Sequence, residues 1–399
     1  MRTAVVVGAG MAGLATAGAL SRSGWQVTLL ERGERVAAPP TALVLWSNGR
    51  RALEALDPDG GWSAIAAALP DGGVRRPDGQ WLVEPRARLS SGAGPAPAAV
   101  HLEDLYDALV AGLGDRVEIR TGFDVTSVRV GPGRRPSVGD GRTQLEADLV
   151  VAADGIDSPV RRALAPESVA VGSGFAAWQA VIPAYRAPRL TDEQKAGGET
   201  LGAGYRFVSI PLGDRAAGRG GIYWVATAAG APRPEPPATQ LALLRRWFAG
   251  WHPPVRELLE ATDPGDLVPQ EVRELRPLPR AYGFRSGPGG VVLLGDAAHA
   301  MPHHLGQGAC LAFEDAATLR PLVADAAPGE QLIAAIEAYS RLRRPRTTSV
   351  VRQTRRMSAV VQARGRLALR ARDAALNHMR PRILGGHAHG PTDWTPPEC

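Results

Sequence analysis

Three glycines stand early in the chain at a spacing that suits a diphosphate: Gly8-Ala9-Gly10-Met11-Ala12-Gly13. Gly8 permits a tight turn, Gly10 lets backbone approach a phosphate, and Gly13 lets a helix pack closely on a strand. A helix opening at Met11 and Ala12 turns free N–H groups and its positive dipole end toward that phosphate. Glu31 follows 18 residues after Gly13, with Arg32 beside it. A carboxylate there can accept both hydroxyls of an adenosine ribose. Glycines also recur in helix packing, so the turn alone says little. Strand, helix and acid in register make it a dinucleotide site, without separating NAD from FAD.

A second segment makes that separation. Val291 to His299 reads Val-Val-Leu-Leu-Gly-Asp-Ala-Ala-His, which sets Asp296 just past a buried strand. Ligands bind at that place in open α/β sheets. The loop Gly306-Gln307-Gly308-Ala309 follows, then a helix from Cys310 through Leu319. Asp296 can hold the hydroxyls of a ribityl chain; the competing reading is a plain helix cap. The new helix aims its N-terminus at the same place, where it would stabilise the negative charge of a reduced flavin. FAD is therefore the expected dinucleotide. A third segment, Asp154-Gly155-Ile156-Asp157-Ser158-Pro159-Val160-Arg161, again follows a buried strand. Asp154 can fix this loop by accepting backbone N–H bonds, and Arg161 can pair with it.

The elements that must position these residues are legible from periodicity. Residues 2–7 read as a buried parallel strand, followed by a helix to about Ser23 that Gly24 ends, and a strand from Trp25 to Glu31. This is one crossover unit. The stretch from Asp57 to Ala99 is rich in Gly and Pro and reads as loops and short strands. Helical spacing runs from His101 to Leu113, strands from Val117 to Val130, and a strand from Ala147 to Ala153. From 169 to 283 short alternating runs, such as Tyr205 to Pro211 and Gly221 to Thr227, predict an antiparallel sheet, with a helix at Thr239 to Ala249. Helices dominate after Gly308, and the tail from Gly385 reads as partly loose. The fold class is α/β. A Rossmann-like FAD-binding domain (1–168 and 284–399) carries an inserted antiparallel-sheet substrate domain (169–283), and a C-terminal helical region ends the chain.

Composition narrows the function. The 399 residues are 44% apolar and 22% charged, with net charge +6. The basic residues form no stripe interleaved with aromatics, which speaks against nucleic acid. Lys195 is the single lysine. No long apolar run predicts a transmembrane helix. Two cysteines, Cys310 and Cys399, fit a reducing cytosol rather than a disulfide scaffold, so a cytoplasmic protein is expected. Met1-Arg2 and the apolar residues after it resemble a secretory signal superficially, but the spaced glycines and Glu31 belong to the dinucleotide reading. Eleven arginines between Arg341 and Arg372 read as a solvated helix face, with docking to a partner or anionic membrane as the alternative.

Taken together, the three segments resemble the single-component FAD-dependent aromatic hydroxylases, the group built like p-hydroxybenzoate hydroxylase. Gly306 to Cys310, Glu314-Asp315-Ala316 and Phe248-Ala249-Gly250-Trp251-His252-Pro253-Pro254 are especially similar to the branch of FAD-dependent urate and salicylate hydroxylases. The resemblance implies that NADH or NADPH reduces the flavin and O2 adds at its C4a carbon. The resulting hydroperoxide then passes oxygen to a small aromatic or polycyclic substrate, by hydroxylation or epoxidation. It implies that the Asp154 segment supports FAD and NAD(P)H use, and it adds Val125 to the expected FAD contacts. It also implies substrate contact by Arg206 and Tyr223.

The chain departs from that pattern in places. The family's FAD-reaching arginine is replaced by Leu102, which cannot donate a hydrogen bond; His101 is the expected substitute. The loop against the flavin reads Pro302-His303-His304-Leu305, where a histidine either faces solvent or binds or deprotonates substrate. No carboxylate or cysteine accompanies these histidines at metal-ligand spacing, so no metal is expected. Trp178-Gln179 replaces the expected Trp-Arg or Trp-Asn, while Trp224 and Phe207 read as packing. Two rivals share the fold. A flavin-dependent halogenase would need a Trp-x-Trp-x-Ile-Pro segment, but residues 176–183 hold one tryptophan, and Lys195 lies in a polar loop. A non-catalytic or reductase-type flavin protein draws its support from Leu102 and His303.

Overall fold

The computed structural model describes residues 1–70, 72–85, 95–213, 220–230, 235–378 and 390–397. Cys399, the start of the tail at Gly385 and part of the Gly/Pro-rich stretch lie outside the described residues.

Runs of Val, Leu and Ala with no polar alternation make strands buried on both faces, as a parallel sheet covered by helices requires. The six-stranded sheet has the order Gly283–Ser286, Gly289–Leu293, Leu149–Ala152, Thr3–Val7, Gln26–Leu30, Val117–Arg120. Every neighbouring pair is parallel except the first. The chain leaves Thr3–Val7 on one side through the helix Met11–Arg22 and returns on the other at Leu149–Ala152, so the first strand is a topological switch point. Register does the positioning. Val7 pairs with Leu30 and Ala152, and Ala152 with Leu293. Four strand ends thus form one row, and the glycine turn, Glu31, Asp154 and Asp296 all follow from that edge. Helices Met11–Arg22, Gly308–Val323 and the 32-residue Glu330–Val361 pack around the sheet. Gly49 lets the helix Ser47–Leu56 approach Gly308–Val323, since a Cβ there would stand 2.6 Å from Cys310 Sγ.

A seven-stranded sheet follows the antiparallel expectation and extends it. Its order is Val268–Arg276, Val169–Pro183, Gly221–Ala229, Tyr205–Pro211, Gly198–Leu201, Val74–Arg75, Trp81–Val83. The last two strands come from the Gly/Pro-rich stretch, too short for a period to show. Side chains alternate across this sheet. Trp178, Ile182, Phe207, Trp224 and Ala226 face a core closed by helices Pro237–Trp247 and Val255–Glu260. Phe207 and Trp224 stack at 5.4 Å, the packing role expected of them. Gln179, Val181, Arg206, Ile210, Tyr223 and Val225 take the opposite face.

One expectation changes. The arginine run is not simply a solvated face. Arg343 is 1% exposed, Arg372 donates to the Leu201 and Gly202 carbonyls, and Arg355 pairs with Glu274. Arg343 Nη1 donates to Glu314 at 2.8 Å and Nε to Asp315 at 2.6 Å, both carboxylates being fully buried. Buried carboxylates must be paired, and this pairing draws arginines off the helix surface. Within the described residues 390–397, Arg51 donates to the Thr392 and Trp394 carbonyls, and Arg346 to that of Gly390.

Arg343→Met strands two buried carboxylates on reduced countercharge. The expected cost is about 3–5 kcal/mol, read as a lower denaturant midpoint. A loss under ~1 kcal/mol would show that Arg346 and His299 suffice.

Candidate active site

The glycine turn is built so that only glycine fits at its two ends. Gly8 has φ +96°, and a Cβ there would stand 2.5 Å from the Ala153 carbonyl oxygen. A Cβ on Gly13 would fall 1.8 Å from the Gly8 oxygen. Gly10 differs: its nearest atom is the Tyr106 hydroxyl at 3.9 Å, so space remains in front of the helix. Helix Met11–Arg22 has no side-chain cap, and its first bond runs from Leu14 N–H to Gly10 O at 2.9 Å. The amides of Met11, Ala12 and Gly13 therefore lead the helix into that space. Glu31 accepts from Ala9 N–H and Gly33 N–H, both at 2.9 Å, leaving lone pairs over. Arg32 beside it is exposed. Val125 packs in the core of the parallel sheet. His101 caps the helix Leu102–Ala111, its ring accepting from Glu103 N–H at 3.3 Å.

At the far end of the row Asp296 follows Gly295, whose φ is +58°. Asp296 is an exposed residue, yet desolvation by the protein around its carboxyl raises its pKa, an effect His299 opposes. Both hold if it sits in a recess. Asp315 fixes that loop, accepting from Gly295 N–H at 2.9 Å and lying 2.6 Å from His299 Nε2. Burial pushes Asp315 up, but His299 and Arg343 outweigh it and hold it low. The second loop is tied to the same network. Asn48 Nδ2 donates to Gln307 Oε1 at 2.8 Å and to Glu314 Oε1 at 2.7 Å. Gly306 takes a left-handed φ of +61° against Trp46 Nε1, which has no hydrogen-bond partner. The helix Gly308–Val323 has no side-chain cap either, so the amides of Gly308, Ala309 and Cys310 lead it. The Cys310 thiol turns away to the Val44 carbonyl, and burial pushes its pKa up to about 12.

In the Asp154 loop the Arg161 charge acts to lower the Asp154 pKa, in the sense of the expected pairing, though no ion pair closes between them among the described residues. Ser158, not Asp154, caps the helix Pro159–Leu164, accepting from Arg161 N–H at 2.8 Å. Ser158 and the Val160 amide touch Asp154 only loosely, so neither carboxylate oxygen has a well-formed bond. Nor do Nε and Nη1 of the buried Arg161. Burial raises Asp154 to about 6.

The pocket side of the antiparallel sheet lies against strands Ala42–Leu45 and Ala98–His101, where Leu212 and Tyr223 pack on Ala42 and Ala99. The turn His303–Leu305 comes to the same face. Arg206 Nη2 reaches the His304 carbonyl at 3.5 Å, and Phe175 lies 5.6 Å from the His303 ring and 4.4 Å from that of His304. Ser358 donates to Thr354 O, so His304 Nδ1, at 2.9 Å, must donate to Ser358. Burial first, and Arg206 second, lower His303 to about 3 and His304 to about 2. Both rings are neutral, and their Nε2 atoms lack partners. Burial raises the Tyr223 hydroxyl, which donates to Gln179 Oε1 at 2.5 Å. The structure thus gathers Arg206, Tyr223, His303 and His304 around one face. Gln179, noted in the sequence only as a departure from the expected pair, joins the site, and Asn48, Trp46 and Glu199 join it without a sequence signal. Each is a lone polar residue on an ordinary element, and the contact that reveals it crosses elements.

A switch-point edge with two uncapped helix N-termini and two acids defines a flavin-dinucleotide-binding α/β protein. The chain matches the FAD binding domain family over residues 1–246 and 252–354, and it belongs to that family. It is 30% identical over 381 residues to the aurachin C monooxygenase/isomerase of Stigmatella aurantiaca, covering 94% of each chain. It is 34% identical over 342 residues, 83% of each chain, to the 2-heptyl-3-hydroxy-4(1H)-quinolone synthase of Pseudomonas aeruginosa. Klebsiella pneumoniae HpxO, solved with FAD and uric acid, superposes with TM-score 0.80 at 26% identity, covering 96% of this chain and 95% of that one. The protein is an FAD-dependent monooxygenase, an oxidoreductase whose relatives include aromatic hydroxylases. FAD fits the residues present: open space at Gly10, uncapped amides at both helix starts and an accessible Asp296 answer to its diphosphate and ribityl chain.

Asp154 also yields a pH test. Its folded pKa stands above the model-peptide 3.8, so the protonated form contributes stability below that value, and the contribution is lost as pH rises through about 6. Asp154→Asn cannot ionise. Its thermal stability relative to wild type is expected to rise between pH 4 and 8, by up to about 3 kcal/mol. A difference flat with pH would contradict this.

Proposed function

We propose that this protein is a cytoplasmic, NADH- or NADPH-consuming monooxygenase that inserts one atom of O2 into a small aromatic or polycyclic substrate, by hydroxylation or epoxidation. The observation that carries this is the meeting of two surfaces: the flavin loop His303 to Cys310 touches the polar face of the antiparallel sheet, through Arg206 and Phe175. Bound FAD would supply the redox chemistry, taking electrons from the nicotinamide and activating O2.

The chain's own residues bind, orient and exclude water. Amides of Met11, Ala12 and Gly13 hold the diphosphate, with Gly8 and Gly10 shaping the turn, and Glu31 takes the ribose; Arg32, His101 and Val125 flank the adenosine half. Asp296 takes the ribityl hydroxyls. Backbone at Gly306, Gln307, Gly308, Ala309 and Cys310 faces the ring, and the helix start stabilises negative charge there. Asp154 stands at the same edge, between the two acids. His303 and Tyr223 contact substrate. With a pKa of about 3, His303 is a weak base, so it positions substrate by accepting a hydrogen bond rather than by removing a proton at neutral pH. His304 and Arg206 brace it, and Val181, Ile210 and Val225 keep the face dry.

NADH or NADPH oxidation coupled to O2 uptake, screened over ring substrates, is the direct test. At least one aromatic is expected to stimulate oxidation ~10-fold or more. A bound flavin that neither nucleotide reduces, whatever aromatic is present, would refute the reading. Asp296→Ala is expected to purify without its yellow flavin absorbance. His303→Ala is expected to keep FAD, raise KM and divert reducing equivalents to H2O2. If rate, coupling and affinity are unchanged, the histidine is not in contact with substrate.

A further inference from the structure

Strand register defines the surface that meets the substrate. Directly paired residues in antiparallel strands share a face. Tyr223 pairs with Val181 and Ile210, Val225 with Gln179 and Val208, and Arg206 with Thr227 and Leu201. Glu199 pairs with Val208 and so joins the same face. The reverse face is used up by the Trp178, Phe207 and Trp224 core. Every interaction between substrate and this sheet must therefore be made by the first set.

Among the described residues of these strands, the cation on that face is Arg206, 9% exposed, and its Nε donates to Glu199 Oε1 at 2.6 Å. Nη2 is turned to the His304 carbonyl. Gln179 and Tyr223 satisfy each other, and Gln179 Nε2 also donates to Gln270 at 3.0 Å. Between these groups lie Val181, Val208, Ile210 and Val225. An aromatic carboxylate or other ring anion entering here would meet apolar walls and an arginine already engaged. It would have to displace Glu199 or be buried beside it as a second negative charge, and either route is costly. An uncharged ring meets no such barrier.

We propose that the site selects uncharged aromatic or heteroaromatic substrates, and that Glu199 sets this selectivity by neutralising Arg206. This rests on the monooxygenase reading above and names the substrate class within it. Glu199 is a positioning residue: it acts through Arg206 and on which ring enters, not on oxygen transfer.

The test uses holoenzyme and ring pairs differing only by a carboxylate, such as a 2-methyl-4(1H)-quinolone against the 2-carboxylate of the same ring, and benzamide against benzoate. Binding is followed by perturbation of the flavin absorbance. In wild type the uncharged partner is expected to bind at least ~10-fold more tightly. Glu199→Gln keeps the shape and a hydrogen-bonding amide but frees the Arg206 charge. Carboxylate affinity is expected to rise ~10-fold or more, with the uncharged partner changed less than ~3-fold. Arg206→Gln added to Glu199→Gln is expected to cancel that gain. Carboxylates that bind wild type as tightly as their uncharged partners overturn the proposal. So does a ratio that Glu199→Gln leaves unmoved. Should Glu199→Gln lose its flavin, the wild-type ratio alone decides. Failure of the monooxygenase reading looks different: FAD that no nicotinamide reduces, whichever ring is bound.

Discussion

The fold depends on pairing two adjacent carboxylates, Glu314 and Asp315, in its interior. Both are fully buried, and Arg343, itself 1% exposed, bonds to each. Burial alone would lower the Arg343 pKa, yet the two acids raise it on balance, and it in turn helps hold Asp315 low. The remaining lone pairs are spent on the site. Asp315 takes the Gly295 amide and so sets the loop that presents Asp296. Glu314 accepts from Asn48, which also donates to Gln307, and so sets the loop ahead of the helix Gly308–Val323. A buried ion pair is a weak source of stability compared with apolar packing. Here its use is geometric: one cluster fixes two loops, at Gly295 and at Gln307, relative to each other.

The antiparallel sheet follows the opposite strategy. Its core face is almost wholly aromatic and aliphatic, and Trp178 and Trp224 have their N–H groups satisfied by Gln240 at 2.6 Å and Thr262 at 2.9 Å. That leaves the other face free to carry polar groups without loss of the fold's main apolar burial. Alternation with period two is what separates the roles, so neighbouring residues such as Trp178 and Gln179 do unrelated work. Arg206 and Phe207 divide in the same way.

How much of this was legible in the sequence follows from the same distinction. The parallel strands and the glycine turn were read nearly to the residue, because a buried run and a glycine-only conformation are local properties. Tyr205–Pro211 was predicted with its observed bounds, while the helix expected at Thr239 to Ala249 forms at Pro237–Trp247. What escaped is non-local. Val74–Arg75 and Trp81–Val83 become strands because an existing sheet edge pairs with them. Arg343 looks like one more basic residue on a charged helix until the fold places two acids against it. Asn48 and Glu199 have no pattern at all; each is defined by a partner on another strand or helix.

Leu102 shows how a departure from a pattern can be absorbed. It stands where the resembling hydroxylases carry an arginine, and it is 7% exposed, in the buried cluster that also holds Leu105, Phe313 and Ala316. An apolar side chain there adds to that cluster in place of a cationic contact. His101 caps its own helix through Nδ1. A diphosphate at Gly10 would then be met chiefly by backbone amides and the helix dipole. Those groups cannot be deprotonated or displaced by a rotamer change, and they are fixed by glycines at positions 8 and 13 that admit no side chain. The interaction that would orient the diphosphate thereby moves from a flexible cation to main chain whose conformation those glycines fix.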